Sequence, residues 1–137
     1  TLKTVSDDLG VKKDVSSFVI PVGATINMDG TAIMQGLATM FIASTAGVDL
    51  SIVEYVQIVM LAMVASIGAA AVPSAGTITL ALILSSLGLP LDAIGLILAV
   101  DRILDMIRTS VNVCGDAAVS CIVAVSEDEL DYQIYNN

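Results

Sequence analysis

The sequence DRILDMIRTSVNVCGD at residues 101–116 is the most informative stretch of this 137-residue chain. The surrounding segment, residues 94–125, is otherwise almost entirely apolar. Because an α-helix turns by about 100° per residue, the main polar side chains here fall within one arc of about 100°. Ionisable groups in hydrocarbon cost several kcal/mol each, so they mark a binding site or a transport pathway. One membrane-type helix is therefore predicted to carry a polar stripe of Asp101, Asp105, Arg108, Thr109, Asn112 and Asp116.

Composition and charge place the chain in a membrane. Only 14% of its residues are charged, whereas about 25% is usual for soluble domains. Segment 18–48 has Asp29 as its one charged residue, and segment 55–91 has none. A helix that spans the hydrocarbon core needs about 20 apolar residues. We therefore predict an all-α membrane protein surrounded by a lipid bilayer.

The sequence also excludes several functional classes. It contains no histidine, which removes histidine-based catalysis and most zinc sites. The net charge is −9 and no basic patch is present to meet phosphates, so nucleic acid is not an expected partner. Cys114 and Cys121 would lie about 10 Å apart along a helix axis, too far for a disulfide, and are interpreted as packing residues.

The chain begins with a short helix and a basic loop. Residues 2–9 are expected to form the end of a helix that Gly10 stops, and residues 12–14 a polar loop. Lys12 and Lys13 precede the first apolar segment, whereas the later loops carry only acidic residues. The positive-inside rule therefore places the basic loop in the cytoplasm and the acidic loops outside.

The apolar segment from Phe18 onwards is predicted to be two half-helices rather than one helix. Pro21 and Gly23 are expected to break it once, and the sequence NMDGT at 27–31 a second time. Carbonyls at the end of the first half, together with Asp29, would bind a hard cation such as sodium. The alternative is a kink in which Asp29 pairs with a neighbouring side chain.

The uncharged stretch that follows an acidic loop at 49–54 is predicted to be a re-entrant hairpin. Ser51 is suited to cap its first helix. The helical stretches 55–70 and 77–87 are each short for a full crossing, and Pro73 lies between them. Irregular backbone at membrane depth must line a protein or water cavity, so the tip is expected either to bind a ligand or to be a packing loop.

The ends of the hairpin carry further signals. Gly68 and Gly76 are candidate hinges that would let the hairpin act as a gate. Residues 88–90 are expected to stop its second arm, and Asp92 to cap the last helix. Segment 126–131 is predicted to be a solvated acidic tail.

The polar stripe indicates a site for a zwitterion and a cation. The planar guanidinium of Arg108 matches a carboxylate, Asp105 would take an ammonium group, and Asp101 would orient Arg108 or another neighbouring residue. Asn112 and Asp116 would offer oxygen atoms to a cation. The alternative is mutual neutralisation of Asp and Arg side chains, but three carboxylates against one guanidinium leave an excess of negative charge.

Three motifs in this order resemble those of the dicarboxylate/amino acid:cation symporters, which include the glutamate transporters. They are residues 27–31, the tip AVPSAG at 71–76, and the pair DMIRT at 105–109 and NVCGD at 112–116. The resemblance implies secondary active symport by a homotrimer in the cell (inner) membrane, which the full protein crosses several times. It also implies a transport domain that moves like an elevator, that the chain is the C-terminal third of a transporter, and that it is not an enzyme.

The resemblance implies segment boundaries as well. Residues 1–126 correspond to the C-terminal part of the transport domain, and residues 127–137 to an acidic cytoplasmic tail. Within the domain, the implied segments are the end of a first re-entrant hairpin (1–10), an unwound helix (18–48), a second hairpin (55–88) and the last membrane helix (92–125).

By the same resemblance, glutamate or aspartate would bind beside sodium ions, with no further cofactor. An arginine at position 108 suits an acidic side chain, Asp105 the α-amino group and Asn112 the α-carboxylate. The implied substrate residues are Thr31, Val72, Pro73, Ser74, Ala75, Gly76, Asp105, Arg108, Thr109 and Asn112. The implied sodium ligands are the carbonyls of Gly23, Asn27 and Asn112 with the carboxylate of Asp116 for one ion. The carbonyls of Thr25, Ser66, Ile67 and Ala69 near Met28 are implied for a second ion, and Asn27 and Asp29 with residues outside this chain for a third.

Four alternatives remain open. Protons could replace sodium as the coupling ion, or a C4-dicarboxylate could replace the amino acid, which would leave Asp105 without a partner. An intramembrane aspartyl protease would use Asp116 and Asp29 as a proton-sharing pair, although Arg108 on the same stripe favours charged carboxylates. A channel subunit would use the hairpin as a pore loop.

Overall fold

A computed structural model describes residues 1–68 and 75–136. These residues form helices and their connections, apart from one isolated antiparallel bridge between Val11 and Leu130, which confirms the predicted all-α class. The α-helices are α1 (Leu2–Asp7), α2 (Lys13–Ile26), α3 (Asp29–Thr45), α4 (Ile52–Gly68), α5 (Ala75–Ser86), α6 (Ile94–Leu98), α7 (Asp101–Ser126) and α8 (Tyr132–Tyr135), with a 3-10 turn at Leu91–Ala93.

Helix α3 is at the centre of the arrangement. It packs against α4, α5 and α7, while α2 lies against α7 and α1 contacts both α2 and α7. One apolar cluster joins α3 to α5 and α6, and its buried members are Met34, Ala38, Ile42, Ala43, Leu80, Leu84, Leu89 and Ile97. A second cluster joins α1, α2 and α7, and its buried members are Val5, Val11, Ile20 and Ala124. The α2–α3 break falls, along the chain, between these two clusters.

Helix lengths and exposed surfaces agree with a membrane setting. Among the described residues, α7 is the one helix long and apolar enough to cross a membrane, with 26 residues. Helices α4 and α5 are shorter apolar helices of 17 and 12 residues, at the positions of the predicted hairpin arms. Large apolar side chains are exposed on several sides of α4, among them Ile52, Val56, Val59 and Val64. Contiguous apolar surface of this extent is rarely left in contact with water.

Pro21 and Gly23 do not interrupt α2, contrary to the prediction. The helix runs through both residues, and the chain becomes extended only at Asn27, where φ is −83° and ψ is 94°. The Thr25 hydroxyl donates a hydrogen bond of 3.2 Å to the Pro21 carbonyl. The carbonyl that loses its helical donor to Pro21 is that of Ser17, four residues earlier, so this bond does not replace the one that the proline removes. The second predicted interruption, within residues 27–31, is confirmed.

The last membrane helix is divided, whereas one helix was predicted over residues 92–125. Helix α6 ends at Leu98 and α7 begins at Asp101, with two turn residues between them. Asp92 lies inside the 3-10 turn and does not cap it; Pro90 precedes the turn, and no side chain caps it. A carboxylate at the first residue of α7 is favoured by the positive end of the helix dipole, which explains why α7 begins at Asp101.

Other predicted boundaries move by a few residues. Helix α4 begins at Ile52, so Glu54 is in its first turn instead of the preceding loop. Ser51 caps this helix as predicted: its hydroxyl accepts a 3.4 Å hydrogen bond from the Glu54 N–H, and its own N–H donates a 2.7 Å bond to the Glu54 carboxylate. Helix α2 begins at Lys13, so most of the predicted basic loop is helical. Gly88, with φ of +67°, follows the end of α5 as expected.

The acidic tail is hydrogen-bonded to the loop between α1 and α2, while its residues remain exposed or partly exposed, as predicted for a solvated tail. The Lys12 N–H donates a 3.1 Å hydrogen bond to the Glu129 carbonyl, and the Asp131 N–H donates a 2.8 Å bond to the Gly10 carbonyl. The Lys12 and Glu129 side chains form an ion pair. We call residues 10–12 and 129–131 the tail clasp. Its backbone partners lie at opposite ends of the chain, where local sequence patterns give no signal.

Candidate functional site

The break between α2 and α3 lies directly against the polar stripe of α7. The Asn27 side-chain amide donates one hydrogen bond of 2.8 Å to the Asp116 carboxylate and another of 3.2 Å to the Asn112 carbonyl. The N–H of Gly30 donates a 2.8 Å bond to the side-chain oxygen of Asn112. First-turn N–H groups have no partner within their own helix, and Asn112 supplies one here. Two motifs that are far apart in sequence thus form one polar surface.

Glycines allow this close approach. A Cβ atom at Gly23 would overlap the Asp116 carboxylate, and a Cβ at Gly115 would lie 2.6 Å from the amide nitrogen that binds this carboxylate. A Cβ at Gly30 would overlap the backbone carbonyl of Arg108. A larger residue at any of these positions would therefore push α2 or α3 away from α7.

Asp116 is a buried carboxylate with a neutral hydrogen-bond partner. The residue is 6% exposed, and in the described part of the chain the ion pairs are Lys12–Glu129 and Arg108–Asp105, which leaves Asp116 outside both. Buried charges are normally paired or coordinate a metal ion. The carboxylate therefore has the surroundings of a cation ligand.

The oxygens next to Asp116 fit a hard cation. The Asn112 carbonyl shares the Asn27 amide with Asp116, and the Gly23 backbone lies beneath the same carboxylate. Carboxylate and carbonyl oxygens are the ligands that hard cations prefer. Within residues 1–68 and 75–136, no three His, Cys, Asp or Glu side chains come together.

Arg108 and Asp105 form an ion pair on the same stripe. A terminal nitrogen of Arg108, Nη2, donates to the Asp105 carboxylate, and the other, Nη1, lies where a Cβ at Gly76 would be. The Arg108 side chain is 15% exposed and the Asp105 side chain 48%. The structure pairs Arg108 with Asp105 and not with Asp101, which lies seven residues and about 10 Å earlier along the helix. Mutual neutralisation, the alternative considered above, thus applies to this pair but not to Asp116.

The order of these elements agrees with a family-wide sequence pattern. Residues 1–126 match the sodium:dicarboxylate symporter family. The chain belongs to this family. Its members are transporters, which confirms the prediction that the chain is not an enzyme and removes the protease alternative.

Relatives of this family member include transporters named for excitatory amino acids. The chain is 52% identical over 123 residues to an excitatory amino acid transporter of Caenorhabditis elegans, over 90% of this chain and 24% of that protein. It is 51% identical over 132 residues to excitatory amino acid transporter 2 of Mus musculus, over 96% and 23% of the two chains. For excitatory amino acid transporter 3 of Mus musculus, the identity is 49% over 132 residues, with 96% and 25% covered. The chain therefore spans about a quarter of the length of these relatives.

Of the other predicted substrate residues of this symporter-family chain, some lie beside the polar stripe and others do not. Thr31 is buried, and its hydroxyl lies 3.5 Å from the Asn112 side-chain nitrogen and 3.6 Å from the Met28 sulfur. Thr109 is exposed at the edge of the stripe. Gly76 is buried in the first turn of α5, not in an irregular tip. Ala75 is the first residue of α5, whereas Val72, Pro73 and Ser74 lie outside the described residues.

Only part of the second predicted cation site lies within the described residues. Helices α2 and α4 are in contact, but the Thr25 hydroxyl bonds within α2 and the hydroxyl of the buried Ser66 bonds within α4, to the Met63 carbonyl at 2.8 Å. Ile67 is exposed, and Ala69 lies outside the described residues.

The third predicted cation site also depends on residues outside this chain. Asp29 is exposed on the first turn of α3. The side-chain amide of Asn27 donates to the buried carboxylate of Asp116 and not to Asp29.

Two polar residues near the site were missed from the sequence. Gln35 of α3 is fully buried, and its side-chain nitrogen donates a hydrogen bond to the hydroxyl of Thr79 in α5. A signal was present, because Gln35 is the one amide side chain between Thr31 and Val48. An amide within an apolar helix requires a hydrogen-bond partner.

Proposed function

We propose that the chain is the part of a sodium-coupled symporter that holds both an acidic amino acid and a coupling cation. The observation that carries the proposal is the position of Asn112. Its carbonyl shares a hydrogen-bond donor with Asp116, while its side chain binds the Gly30 N–H and reaches the Thr31 hydroxyl. Arg108 lies one turn earlier on the same face. One residue therefore touches both the cation end and the substrate end of the stripe.

The cation end would be completed by sodium. Asp116 would bind the ion together with carbonyl oxygens of Gly23, Asn27 and Asn112, and the ion would neutralise a carboxylate that is costly to bury in a membrane. Two further sodium ions belong to the same proposal, one at Thr25, Ser66, Ile67 and Ala69 near Met28, and one at Asn27 and Asp29.

The substrate end favours a zwitterion with a second carboxylate. Glutamate or aspartate would give Arg108 a carboxylate to bind bidentately and Asp105 an ammonium group. Each of the two side chains would exchange one ion pair for another, and the α-carboxylate of the substrate would be held by the Asn112 amide. Succinate would release Asp105 without a cation to meet it. Thr31, Asn112, Thr109 and the hairpin residues 72–76 would surround the rest of the substrate.

Coupling follows from the shared residue. A cation at Asp116 would fix Asn112 and the first turn of α3, and so prepare the place where the substrate binds. Closure of the hairpin formed by α4 and α5 would then be followed by elevator movement of the neutralised domain. The homotrimer, the cell (inner) membrane and the cytoplasmic position of residues 127–137 are part of this proposal, which family membership supports.

The test is uptake by the full-length protein in liposomes. We expect an imposed sodium gradient to drive uptake of labelled glutamate or aspartate, each to compete with the other, and serine to compete weakly. Uptake driven by a proton gradient without sodium would contradict the cation assignment. Strong competition by serine would contradict the role of Arg108.

A single substitution separates amino acids from dicarboxylates. In Asp105→Asn, glutamate uptake should fall about 100-fold, since the ammonium group loses its charged partner. The matched control Asp92→Asn changes an exposed acidic residue outside the stripe and should stay within about twofold of the unmodified protein. If Asp105→Asn transports succinate as well as the unmodified protein transports glutamate, a C4-dicarboxylate is the better substrate assignment.

A further inference from the structure

A buried hydrogen bond joins the central helix to the second arm of the hairpin. Gln35 has no exposed surface, and its amide nitrogen donates to the hydroxyl of Thr79. Its amide oxygen is also buried and, within the described residues, has no hydrogen-bond partner. An unpaired buried acceptor lowers stability, so an apolar side chain would suit the fold better at this position. The presence of a buried amide at position 35 is therefore not explained by the stability of the fold.

The hydrogen bond continues from Thr79 towards the substrate end. The Thr79 hydroxyl, which accepts from Gln35, donates a 3.1 Å bond to the carbonyl of Gly76. A hydroxyl has one donor and two acceptor positions, so it can make both bonds at once. The first turn of α5 is thus connected to α3 by directional contacts.

That first turn lies directly over the guanidinium of Arg108. A Cβ at Gly76 would overlap the Nη1 atom of Arg108, so the Gly76 backbone forms a wall of the guanidinium site. A shift of α5 by a fraction of an ångström would change the room available to Arg108 and to a carboxylate bound to it. The line of contacts from Gln35 through Thr79 and Gly76 therefore ends at a group that would bind substrate.

Apolar packing alone would not hold this register. Around Gln35, α3 and α5 meet through Met34, Ala38, Leu80 and Leu84, and contacts of this kind are not directional. A hydrogen bond of fixed geometry selects one register among several that pack equally well, at a cost in stability.

We propose that Gln35 is a positioning residue that sets the place of the first turn of α5 over Arg108. In the symport proposed above, it acts on substrate affinity through Thr79 and Gly76 without touching the substrate. Loss of the bond leaves α5 free to adopt more than one register against α3. The affinity for the side-chain carboxylate of the substrate then falls.

The first part of the test measures substrate affinity in the full-length protein. Gln35→Met and Thr79→Val each remove the bond with little change in volume, and each should raise the KM for glutamate about fivefold to tenfold. The double variant should show the same change as Thr79→Val alone, because Thr79→Val already removes the bond to Gln35 together with the bond to Gly76. The control Thr39→Val removes a buried hydroxyl whose 2.8 Å bond stays within α3, and its KM should not change. Additive effects, or an unchanged KM in Thr79→Val, would overturn the proposal.

The second part measures the position of α5 and does not depend on transport. Spin labels at Leu37 of α3 and Leu82 of α5, which are 60% and 62% exposed, report the separation of the two helices. The distance distribution should broaden in Gln35→Met and Thr79→Val but remain narrow in Thr39→Val. A narrow distribution in all three variants would overturn the positioning role even if affinity fell. If the unmodified protein took up no acidic amino acid, the proposed function would fail, while this distance measurement would still decide the role of Gln35.

Discussion

The α2–α3 break and the tail clasp are built from the same parts but differ in burial. At the break, Gly23 lies beneath the carboxylate of Asp116, a residue that is 6% exposed. At the clasp, Gly10 lies beneath the carbonyl of Asp131, and the side chain of Lys12 in the ion pair is 61% exposed. In both places, a glycine admits an oxygen atom from a distant part of the chain.

The difference in burial determines how much each contact contributes to the free energy of unfolding. Exposed ion pairs contribute little because water and salt screen them, whereas a buried polar group that loses its partner is costly. The break should therefore control both stability and cation binding. The clasp should stabilise the fold mainly through its backbone hydrogen bonds, and its exposed ion pair should add little.

The largest effect is expected from Gly23→Ala. The added Cβ would overlap the Asp116 carboxylate, and overpacking at a buried contact should lower the free energy of unfolding by about 3 kcal/mol. Displacement of the carboxylate should also remove the stabilisation by sodium. Thermal unfolding in sodium chloride and in choline chloride measures both changes.

A matched control for this substitution is Gly36→Ala in α3. A Cβ at Gly36 would meet no atom of the described residues within 4 Å, and alanine is favoured over glycine in a helix by about 1 kcal/mol. This variant should be slightly stabilised and should keep its response to sodium. A normal sodium response in Gly23→Ala would mean that the carboxylate of Asp116 is not a cation ligand.

An intermediate effect is expected from Gly10→Ala at the clasp. Gly10 has φ of +70°, and its Cβ would lie 2.5 Å from the Asp131 carbonyl oxygen, so both strain and displacement of the tail should follow. We expect a loss of about 2 kcal/mol. Gly88→Ala is the control: φ is +67° and a Cβ would meet no described atom within 4 Å, so it should lose about 1 kcal/mol from strain alone.

The hydrogen-exchange rates of the amides at residues 12 and 131 measure directly how often the clasp opens. Their N–H groups donate the bonds that join the loop and the tail. Exchange should accelerate in Gly10→Ala and stay slow in Gly88→Ala. Equal exchange in the two variants would show that the tail does not depend on the close approach at Gly10.

The smallest expected effect is a loss of stability at high pH from the Lys12–Glu129 ion pair. The Glu129 carboxylate raises the pKa of the Lys12 ammonium above its ordinary value. A raised pKa in the folded state gives stability that is fully present below the unfolded value of about 10.4 and is lost as pH rises through the folded pKa. Chemical unfolding between pH 8 and pH 11 should show this loss in the unmodified protein and in the control Lys13→Met, but not in Lys12→Met. A parallel loss in Lys12→Met would assign the pH dependence to other groups.

Signals carried by adjacent residues were sufficient for much of the fold. The break within residues 27–31 was predicted because Asn, Asp and Gly disfavour a continuous helix. Ser51 and Gly88 were also correctly placed, since a cap and a left-handed glycine depend on neighbouring backbone. The residues of the first cation site were grouped by their positions on one helix face together with the family resemblance.

Errors arose where the deciding partner is far away in sequence. Pro21 was predicted to break the helix, but α2 continues through it to Ile26. The hydrogen bonds of the tail to a loop at the other end of the chain were not predicted. Asp101 and Arg108 share a helix face, but Arg108 forms its ion pair with Asp105 because Asp105 is closer along the helix axis.

Apolar periodicity, glycine and proline positions and the polar stripe established an all-α membrane chain with a broken helix, and the motifs indicated its family. These properties depend on residues within a few turns of one another, which a linear pattern records. The junction of Asn27 with Asp116, the glycine contacts beneath that carboxylate and the Gln35–Thr79 bond depend on how α2, α3, α5 and α7 pack. Helix packing is set by many small contacts summed over distant residues, so these pairings emerge only when the helices are in place.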